Sequence, residues 1–123
     1  GLGYGFAGVK RLAEVVGLPA AMDLFYTARR LSADEALAMG LVNRVVPVAD
    51  IDETVAETAR TICENAPMTI AAIKAIAREI GKPSAARDLA RIDAMVEACF
   101  TSHDYAEGRR AFMEKRKPDF TGS

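Results

Sequence analysis

Residues 27–46 read TARRLSADEALAMGLVNRVV, and this stretch carries the most specific structural signals of the chain. Ser32 and Glu35 match a capping box, in which the serine hydroxyl accepts the N3 amide and the glutamate accepts the serine amide. The helix behind this cap is short, because Gly40 is a typical C-terminal stop. Residues 41–46 are rich in valine and precede a proline, which predicts one short strand.

Upstream of this stretch lies a glycine-rich loop, GLGYGFAG, at residues 1–8. Apolar residues at helical spacing then predict a helix over 9–16 that closes at Gly17. Pro19 can start the next helix, because a residue in the first helical turn needs no N–H partner. Since the chain opens inside a loop rather than at a methionine, we expect a fragment whose upstream half is missing. A processed complete protein is the alternative.

Downstream, four longer amphipathic helices are expected. The first follows a capping pattern at residues 50–53 and carries an apolar stripe, and the second opens at Pro67. The third begins at Ser84 or Ala85, and Ser102 caps the last. Residues 121–123 are expected to fray. The apolar stripe of the first helix is formed by Ile51, Val55, Ala59, Ile62 and Ala66.

The sequence therefore predicts a mainly α chain with one strand and a single boundary, between residues 47 and 48. Residues 1–47 hold the loop, short helices and strand, and residues 48–123 hold the helical region. We expect apolar surface to remain exposed in residues 1–46, relieved by self-association or partner contacts.

Composition excludes several classes of protein. The chain has 16 basic and 17 acidic residues, net −1, which argues against a general nucleic-acid binder. No apolar run approaches the ~20 residues that span a bilayer, and no signal peptide pattern is present. One histidine and two cysteines make a metal cage improbable, and two cysteines do not make a disulfide scaffold. A cytoplasmic protein without a metal is expected.

Four local features need a structural interpretation beside a functional one. Gly3, Gly5 and Gly8 match the dinucleotide-binding spacing, but no strand precedes them and Asp23 lies inside a helical pattern, so a tight turn is favoured. His103 is expected to be a cap or surface residue. Cys63 and Cys99 lie on apolar faces and are expected to be packed thiols. Most of the acidic residues are interpreted as caps or exposed helix charges, and no catalytic carboxylate pair stands out.

The last helix offers the other candidate site. It clusters basic residues near Tyr105 and Phe112, which lie seven residues apart on one face. A solvated helix face is the plain interpretation. The alternative is a site for a phosphorylated, adenine-bearing ligand held by charge and stacking. The basic residues are Arg109, Arg110, Lys115, Arg116 and Lys117.

Four segments in this order resemble the C-terminal half of the enoyl-CoA hydratase/isomerase (crotonase) superfamily. Three of them are the glycine loop of residues 1–12, the stretch 27–46, and the Ala66-Pro67 start of a helix that carries Lys74. The fourth is the ending of residues 107–120, with Glu107-Gly108, Ala111-Phe112, Glu114-Lys115-Arg116-Lys117-Pro118 and Phe120.

The resemblance implies an α/β spiral of ββα turns followed by a helical region that packs trimers, or dimers of trimers, together. It implies acyl-CoA substrates and no separate cofactor. Two backbone N–H groups form an oxyanion hole for the thioester enolate. In hydratases two glutamates hold the water that adds across the 2,3 double bond of a 2-enoyl-CoA.

Little of that chemistry maps onto these residues. The oxyanion hole and both glutamates fall upstream of Gly1, so no catalytic side chain is expected here and the isolated chain is expected to be inactive. Gly5 matches a loop glycine whose N–H helps to position the water. Phe112 and Lys115 match positions that reach coenzyme A, often that of a neighbouring subunit. Met22, Phe25 and Tyr26 are candidates for the acyl pocket, with core packing as the alternative.

Two residues of the loop depart from the family pattern. Proline is usual at the position of Tyr4, and glycine at that of Ala7; Tyr4 and Phe6 add bulk beside the expected acyl site. The reaction type therefore stays open. The favoured reaction is hydration of an enoyl-CoA in fatty acid metabolism. Isomerisation and acyl-CoA hydrolysis are alternatives on the same scaffold. A non-catalytic helical oligomerisation module is the alternative from a different class.

Overall fold

The computed structural model describes residues 1–123, and all of its regular secondary structure is helical. Two compact units are present, Gly1–Ile51 and Asp52–Ser123. The first unit holds α1 Phe6–Val16, α2 Leu18–Thr27 and α3 Ala33–Ala38. Beyond it lie α4 Ile51–Cys63, α5 Pro67–Ile80, α6 Leu89–Phe100 and α7 His103–Glu114. Short 3-10 turns at Val48–Asp50 and Ser84–Ala86 precede α4 and α6.

Helices α1 and α2 join through Gly17. This residue has φ +82°, a conformation that glycine adopts without strain, and its N–H donates to the carbonyl of Ala13 at 2.9 Å. Pro19 lies in the first turn of α2, as predicted. The left-handed region returns at Ala28, where α2 ends.

The capping box of α3 is confirmed. The amide of Glu35 donates to the Ser32 hydroxyl at 3.1 Å, and the Ser32 amide donates to the Glu35 carboxylate at 2.9 Å. Arg29 adds a second link, because its guanidinium contacts both Asp23 within α2 and Glu35. These donors hold the pKa of Glu35 below its usual value, with the Ser32 amide as the largest cause.

The predicted strand at residues 41–46 is not present. The chain after Gly40 is an irregular loop, and the amide of Leu41 donates back to the carbonyl of Ala36 at 2.9 Å. A strand is defined by the ladder of hydrogen bonds to a neighbouring strand, and no such partner exists among these residues. The valine-rich composition therefore does not produce a strand here.

The prediction of exposed apolar surface in residues 1–46 is confirmed. Tyr4 is 67% exposed, and only two small apolar residues of the unit, Ala21 and Ala36, are buried. The other large exposed apolar side chains of this stretch are Leu2, Phe6, Val15, Leu18, Tyr26, Leu37, Leu41, Val42 and Val45.

The first helix beyond the predicted boundary, α4, leaves its apolar stripe exposed at Ile51, Val55 and Ile62. Asp50, predicted to open this helix as a cap, closes the 3-10 turn in front of it. None of the seven α-helices combines the length and the apolar character that a membrane-spanning helix needs.

Helices α5, α6 and α7 form the packed part of the second unit. Helix α5 begins at Pro67 as predicted, but α6 begins at Leu89 rather than near Ser84. The reason is that the carboxylate of Asp88 accepts the amide of Arg91 at 3.0 Å and fixes the start there. The buried Glu79 of α5 stabilises the loop between α5 and α6, because its carboxylate accepts hydrogen bonds from the amide of Asp88 and the ammonium of Lys82.

The C-terminal residues are ordered, so the expectation of a frayed end at 121–123 is wrong. The amides of Thr121 and Gly122 donate to the Asp104 carboxylate, and the amide of Asp104 donates to the carbonyl of Ser123. The tail is tied to the first turn of α7, whose cap, Ser102, is the predicted one.

Candidate functional site

Helices α5, α6 and α7 border an open groove of about 940 Å³. Arg109 and Arg110 contribute to its α7 wall, and most of the rest of the lining is apolar. A concave, mostly apolar surface with a few charged groups is typical of a ligand site. The large apolar lining residues include Ile73, Ile76, Val96, Phe100, Phe112 and Phe120.

An aromatic and cationic stack lies along this groove. The rings of Phe100 and Tyr105 meet edge to face, with centroids 5.4 Å apart. The guanidinium carbon of Arg109 lies 5.9 Å from the Tyr105 ring centroid, within the range of a cation–π contact. Because Arg109 forms no ion pair with a carboxylate, its charge is available to an anionic ligand.

The basic cluster of the last helix divides into two groups. Arg110 and Arg116 pair with Glu107, and Lys117 pairs with Glu64 at 2.6 Å. Three of the five cations are therefore engaged within the chain. Arg109 and Lys115 remain without a carboxylate partner. The basic cluster is therefore neither a purely solvated helix face nor a ligand site that uses all five cations.

Phe112 and Lys115 lie together at the C-terminal end of α7. The Phe112 ring lines the groove and is 81% exposed. Lys115 ends the helix in the left-handed region, with φ 53° and ψ 39°. The structure thus brings an exposed ring and an unpaired ammonium close together in the chain, and their contact with coenzyme A stays a prediction.

Two carboxylates on α7 are exceptions to the expectation that most acidic residues are caps or exposed charges. Asp104 is 2% exposed and Glu107 is 3% exposed. Asp104 accepts the amides of Thr121 and Gly122, each at 2.8 Å. Glu107 accepts Arg116 at 2.6 and 3.0 Å and the amide of Asp119 at 3.1 Å.

These donors keep both carboxylates ionised in spite of their burial. The Arg116 guanidinium, followed by that of Arg110, holds the pKa of Glu107 far below its usual value. The Thr121 amide is the largest cause that lowers the pKa of Asp104. A buried charge is tolerated only when its lone pairs are satisfied in this way.

The sequence contained a signal for this arrangement. Asp104, Glu107 and Ala111 are spaced i, i+3 and i+7, so they share the buried face of α7. Acidic residues on an otherwise apolar face are expected to have internal partners. Apart from Arg110, three residues after Glu107, the partners lie 9 to 18 residues away, so spacing alone did not identify them.

In the first unit, Gly5 is the residue before α1. Its backbone is extended, with φ −72° and ψ 157°, and its carbonyl accepts the amides of Gly8 and Val9. The first amides of a helix lack intrahelical partners, so this end of α1 can present N–H groups to a polar ligand. The water-positioning role of Gly5 stays a prediction. The tight turn expected of the glycine loop is not present, because residues 1–5 form no turn and Gly8 lies inside α1; Asp23 lies within α2, as expected.

The candidates for the acyl pocket are divided by the structure. The rings of Tyr4 and Phe25 pack with centroids 4.9 Å apart and planes 59° apart. Met22 and Phe25 are half-buried, whereas Tyr26 is exposed and so does not belong to a core. The bulk that Tyr4 adds to the loop is therefore directed onto one of the candidate pocket residues.

The remaining candidates are simple. His103 is the exposed first residue of α7, as expected. Cys99 is half-buried and lines the groove, but Cys63 is exposed, so the expectation of a packed thiol is wrong there. The apolar stripe of α4 has no cover, which leaves Cys63 accessible. No group of three or more His, Cys, Asp or Glu residues is arranged to hold a metal ion.

Comparison with known proteins gives matches along the whole chain. The family model for enoyl-CoA hydratase/isomerase matches residues 1–123. The methylmalonyl-CoA decarboxylase of Escherichia coli is 37% identical over 99% of this chain and 48% of its own length. The short-chain-enoyl-CoA hydratase of Clostridium acetobutylicum is 36% identical over 95% of this chain and 45% of its own.

Solved structures agree with this relationship. An enoyl-CoA hydratase from Mycobacterium tuberculosis superposes on all of the chain with a TM-score of 0.82 at 33% identity, using 49% of its own chain. One from Bacillus anthracis covers 94% of the chain with a TM-score of 0.81 at 36% identity, using 45% of its own. This chain spans about half the length of the relatives it matches. It belongs to the enoyl-CoA hydratase/isomerase family and corresponds to the C-terminal half of crotonase-type proteins.

Proposed function

We propose that this chain is the C-terminal half of an enoyl-CoA hydratase, which adds water to a 2-enoyl-CoA. The observation that carries the proposal is the family match over all 123 residues, together with relatives named as enoyl-CoA hydratases. The oxyanion hole and the acid and base glutamates of such an enzyme would come from residues outside this chain.

The chain's own contribution is the binding of coenzyme A. Phe112 offers an exposed ring for the adenine, and Lys115 offers an unpaired ammonium for a phosphate of the ligand. The α7 C-terminus lies next to the open groove, so ligand and groove are expected to be continuous. In the assembled enzyme these two residues would serve the coenzyme A of a neighbouring subunit.

The first unit would border the acyl group. Gly5 would help to position the attacking water through its N–H. Phe25 and Met22 would supply an apolar wall, with Tyr4 packed against Phe25. Tyr26 would join this wall only through a partner surface, because it is exposed in the isolated chain.

A homo-oligomer, a trimer or a dimer of trimers, fits the surface of the helical region. Helix α4 carries an apolar stripe with no cover in the chain, and an exposed stripe of this kind gains stability from packing against another surface.

The isolated chain should not catalyse hydration. Its two fully buried α7 carboxylates already accept donors from the tail, so neither is free to activate a water. The test is hydration of crotonyl-CoA, followed by loss of the enoyl absorbance. The isolated chain is expected to match a no-protein control, and the complete enzyme to exceed it. Hydration by the isolated chain would contradict the assignment of the acid and base to other residues.

The coenzyme A site has its own test in the complete enzyme. Lys115→Ala is expected to raise KM for crotonyl-CoA about fivefold, the effect of one exposed charge contact, with kcat little changed. Lys74→Ala, an exposed lysine on α5, is the matched control and should leave KM unchanged. An equal effect of both substitutions would contradict the site.

A second candidate is decarboxylation of a malonyl-type acyl-CoA. Two observations favour it: a relative is named methylmalonyl-CoA decarboxylase, and Tyr4 brings a phenol hydroxyl to the loop where the family pattern has proline. A phenol can donate a hydrogen bond to a substrate carboxylate. Release of carbon dioxide from methylmalonyl-CoA, measured beside hydration of crotonyl-CoA, decides between the two reactions. Isomerisation, acyl-CoA hydrolysis and a purely oligomeric role stay as further alternatives.

A further inference from the structure

The tail of the chain, residues 115–123, is held on α7 by two buried anchors. Asp104 holds the far end through the amides of Thr121 and Gly122. Glu107 holds the near end through Arg116 and the amide of Asp119. The Phe120 ring lies between these anchors and forms part of the groove lining. It packs so close to Gly108 that a Cβ added there would lie 3.5 Å from the ring.

The near anchor acts on the turn that contains Lys115. Lys115 has φ 53°, a conformation that L residues seldom adopt and that persists only when its surroundings enforce it. On one side its amide donates to the carbonyl of Phe112 at 3.3 Å, and on the other the amide of Arg116 donates to the carbonyl of Ala111 at 3.0 Å.

Arg116 is the next residue in the chain, and four contacts fix its guanidinium, one of them to the carbonyl of Lys117 at 3.1 Å. Two atoms of the Glu107 carboxylate accept it at 2.6 and 3.0 Å, and Glu114 accepts it at 2.6 Å. Glu107 is buried and Glu114 is exposed, so Glu107 is the rigid partner of the two. With Arg116 fixed, the backbone at Lys115 has little freedom to leave the left-handed region.

We propose that Glu107 is a positioning residue for acyl-CoA binding, acting through Arg116 to hold Lys115 where its ammonium meets a phosphate of coenzyme A. The inference rests on the proposed function. Glu107 touches no ligand in this scheme. Because Glu107 orders the Lys115 turn when the chain folds, ligand binding does not have to supply the entropic cost of ordering it.

The test is a comparison of two substrates in the complete enzyme. Crotonyl-CoA carries the phosphorylated adenosine that Lys115 would contact, whereas crotonyl-pantetheine has the same acyl thioester without it. Glu107→Gln keeps the size of the side chain but removes its charge. It is expected to raise KM about fivefold for crotonyl-CoA, to leave KM for crotonyl-pantetheine unchanged, and to leave kcat within twofold for both.

A matched control breaks the other ion pair of the tail. Glu64→Gln removes the partner of Lys117, which lies outside the Lys115 turn, and should change neither KM. The double variant Glu107→Gln with Lys115→Ala should bind crotonyl-CoA no worse than Lys115→Ala alone, because both act through one contact. If Glu107→Gln does not fold, Arg116→Lys, which loses the two-pronged contact but keeps the charge, should give the same selective change.

The outcomes separate the two proposals. An equal rise in KM for both substrates, or full additivity in the double variant, would overturn the positioning role and leave the proposed function intact. The positioning role would also be overturned if the wild-type enzyme preferred crotonyl-CoA to crotonyl-pantetheine and Glu107→Gln did not reduce that preference. A complete enzyme that converts neither substrate would contradict the proposed function, and the positioning role with it.

Discussion

Oδ2 of Asp104 lies 2.8 Å from the backbone nitrogen of Gly122, and this contact closes the last residues of the chain onto the first turn of α7. The carboxylate of one residue thus satisfies backbone amides 17 and 18 positions later in the sequence. The conformation of Gly122 is what allows the closure, since its φ of +82° lies in the region that favours glycine.

Gly122→Ala is therefore expected to destabilise the second unit. The new methyl group would lie 3.4 Å from the Pro67 ring on a backbone conformation that alanine avoids, at a cost of about 1–2 kcal/mol. The measurement is urea unfolding followed by circular dichroism. Gly81→Ala is the control, because Gly81 has φ −72° and ordinary contacts, and it should change the unfolding free energy little. Equal losses in both variants would show that the tail closure is not responsible.

The buried carboxylates predict a stability that falls in acid. The pKa values of Asp104 and Glu107 are lowered in the folded chain, so the ionised forms stabilise it. Their contribution is complete above the ordinary pKa of a glutamate, 4.5, and is lost as the pH falls below it. The melting temperature should be nearly constant from about pH 8 to 6 and decline below about pH 5.

Glu107→Gln provides the test of that origin. The variant should melt at a lower temperature near neutral pH but show a shallower decline in acid, because its amide does not titrate. Glu64→Gln, at an exposed site, is the control and should keep the wild-type slope. An acid limb of unchanged slope in Glu107→Gln would assign the pH dependence to other groups.

Ser32→Ala is expected to weaken the first unit by about 1 kcal/mol, because it removes the hydroxyl that accepts the Glu35 amide. Ser84→Ala, in a 3-10 turn without a side-chain cap, is the matched control and should have almost no effect. Chemical unfolding of both variants measures the difference. The capping box would lose its assigned role if the two serines proved equivalent.

The contact between Tyr4 and Phe25 predicts a difference between two substitutions. Tyr4→Phe retains the ring and should leave stability unchanged, whereas Tyr4→Ala removes the ring pair and should cost about 1 kcal/mol. Tyr26→Ala, at an exposed site without a ring partner, should change stability by less than about 0.5 kcal/mol. Unfolding by urea measures all three. A destabilised Tyr4→Phe would mean that the hydroxyl, not the ring, makes the important contact.

The sequence by itself determined the helices and most of their ends. Gly17, Pro19, Ser32, Pro67 and Ser102 act where the sequence predicts, because caps and turns depend on neighbours three or four residues away. The family resemblance was also readable, since four motifs occur in the expected order along the whole chain.

Tertiary structure alone decided the features that depend on distant partners. Residues 41–46 have the composition of a strand but no neighbouring strand, so they form a loop. The spacing of Asp104 and Glu107 places them on the buried face of α7, but only the folded tail brings their donors at residues 116–122 to them. The physical reason is the same in each case: a ladder or a buried charge is stable only when its partner is present, and local spacing does not specify that partner.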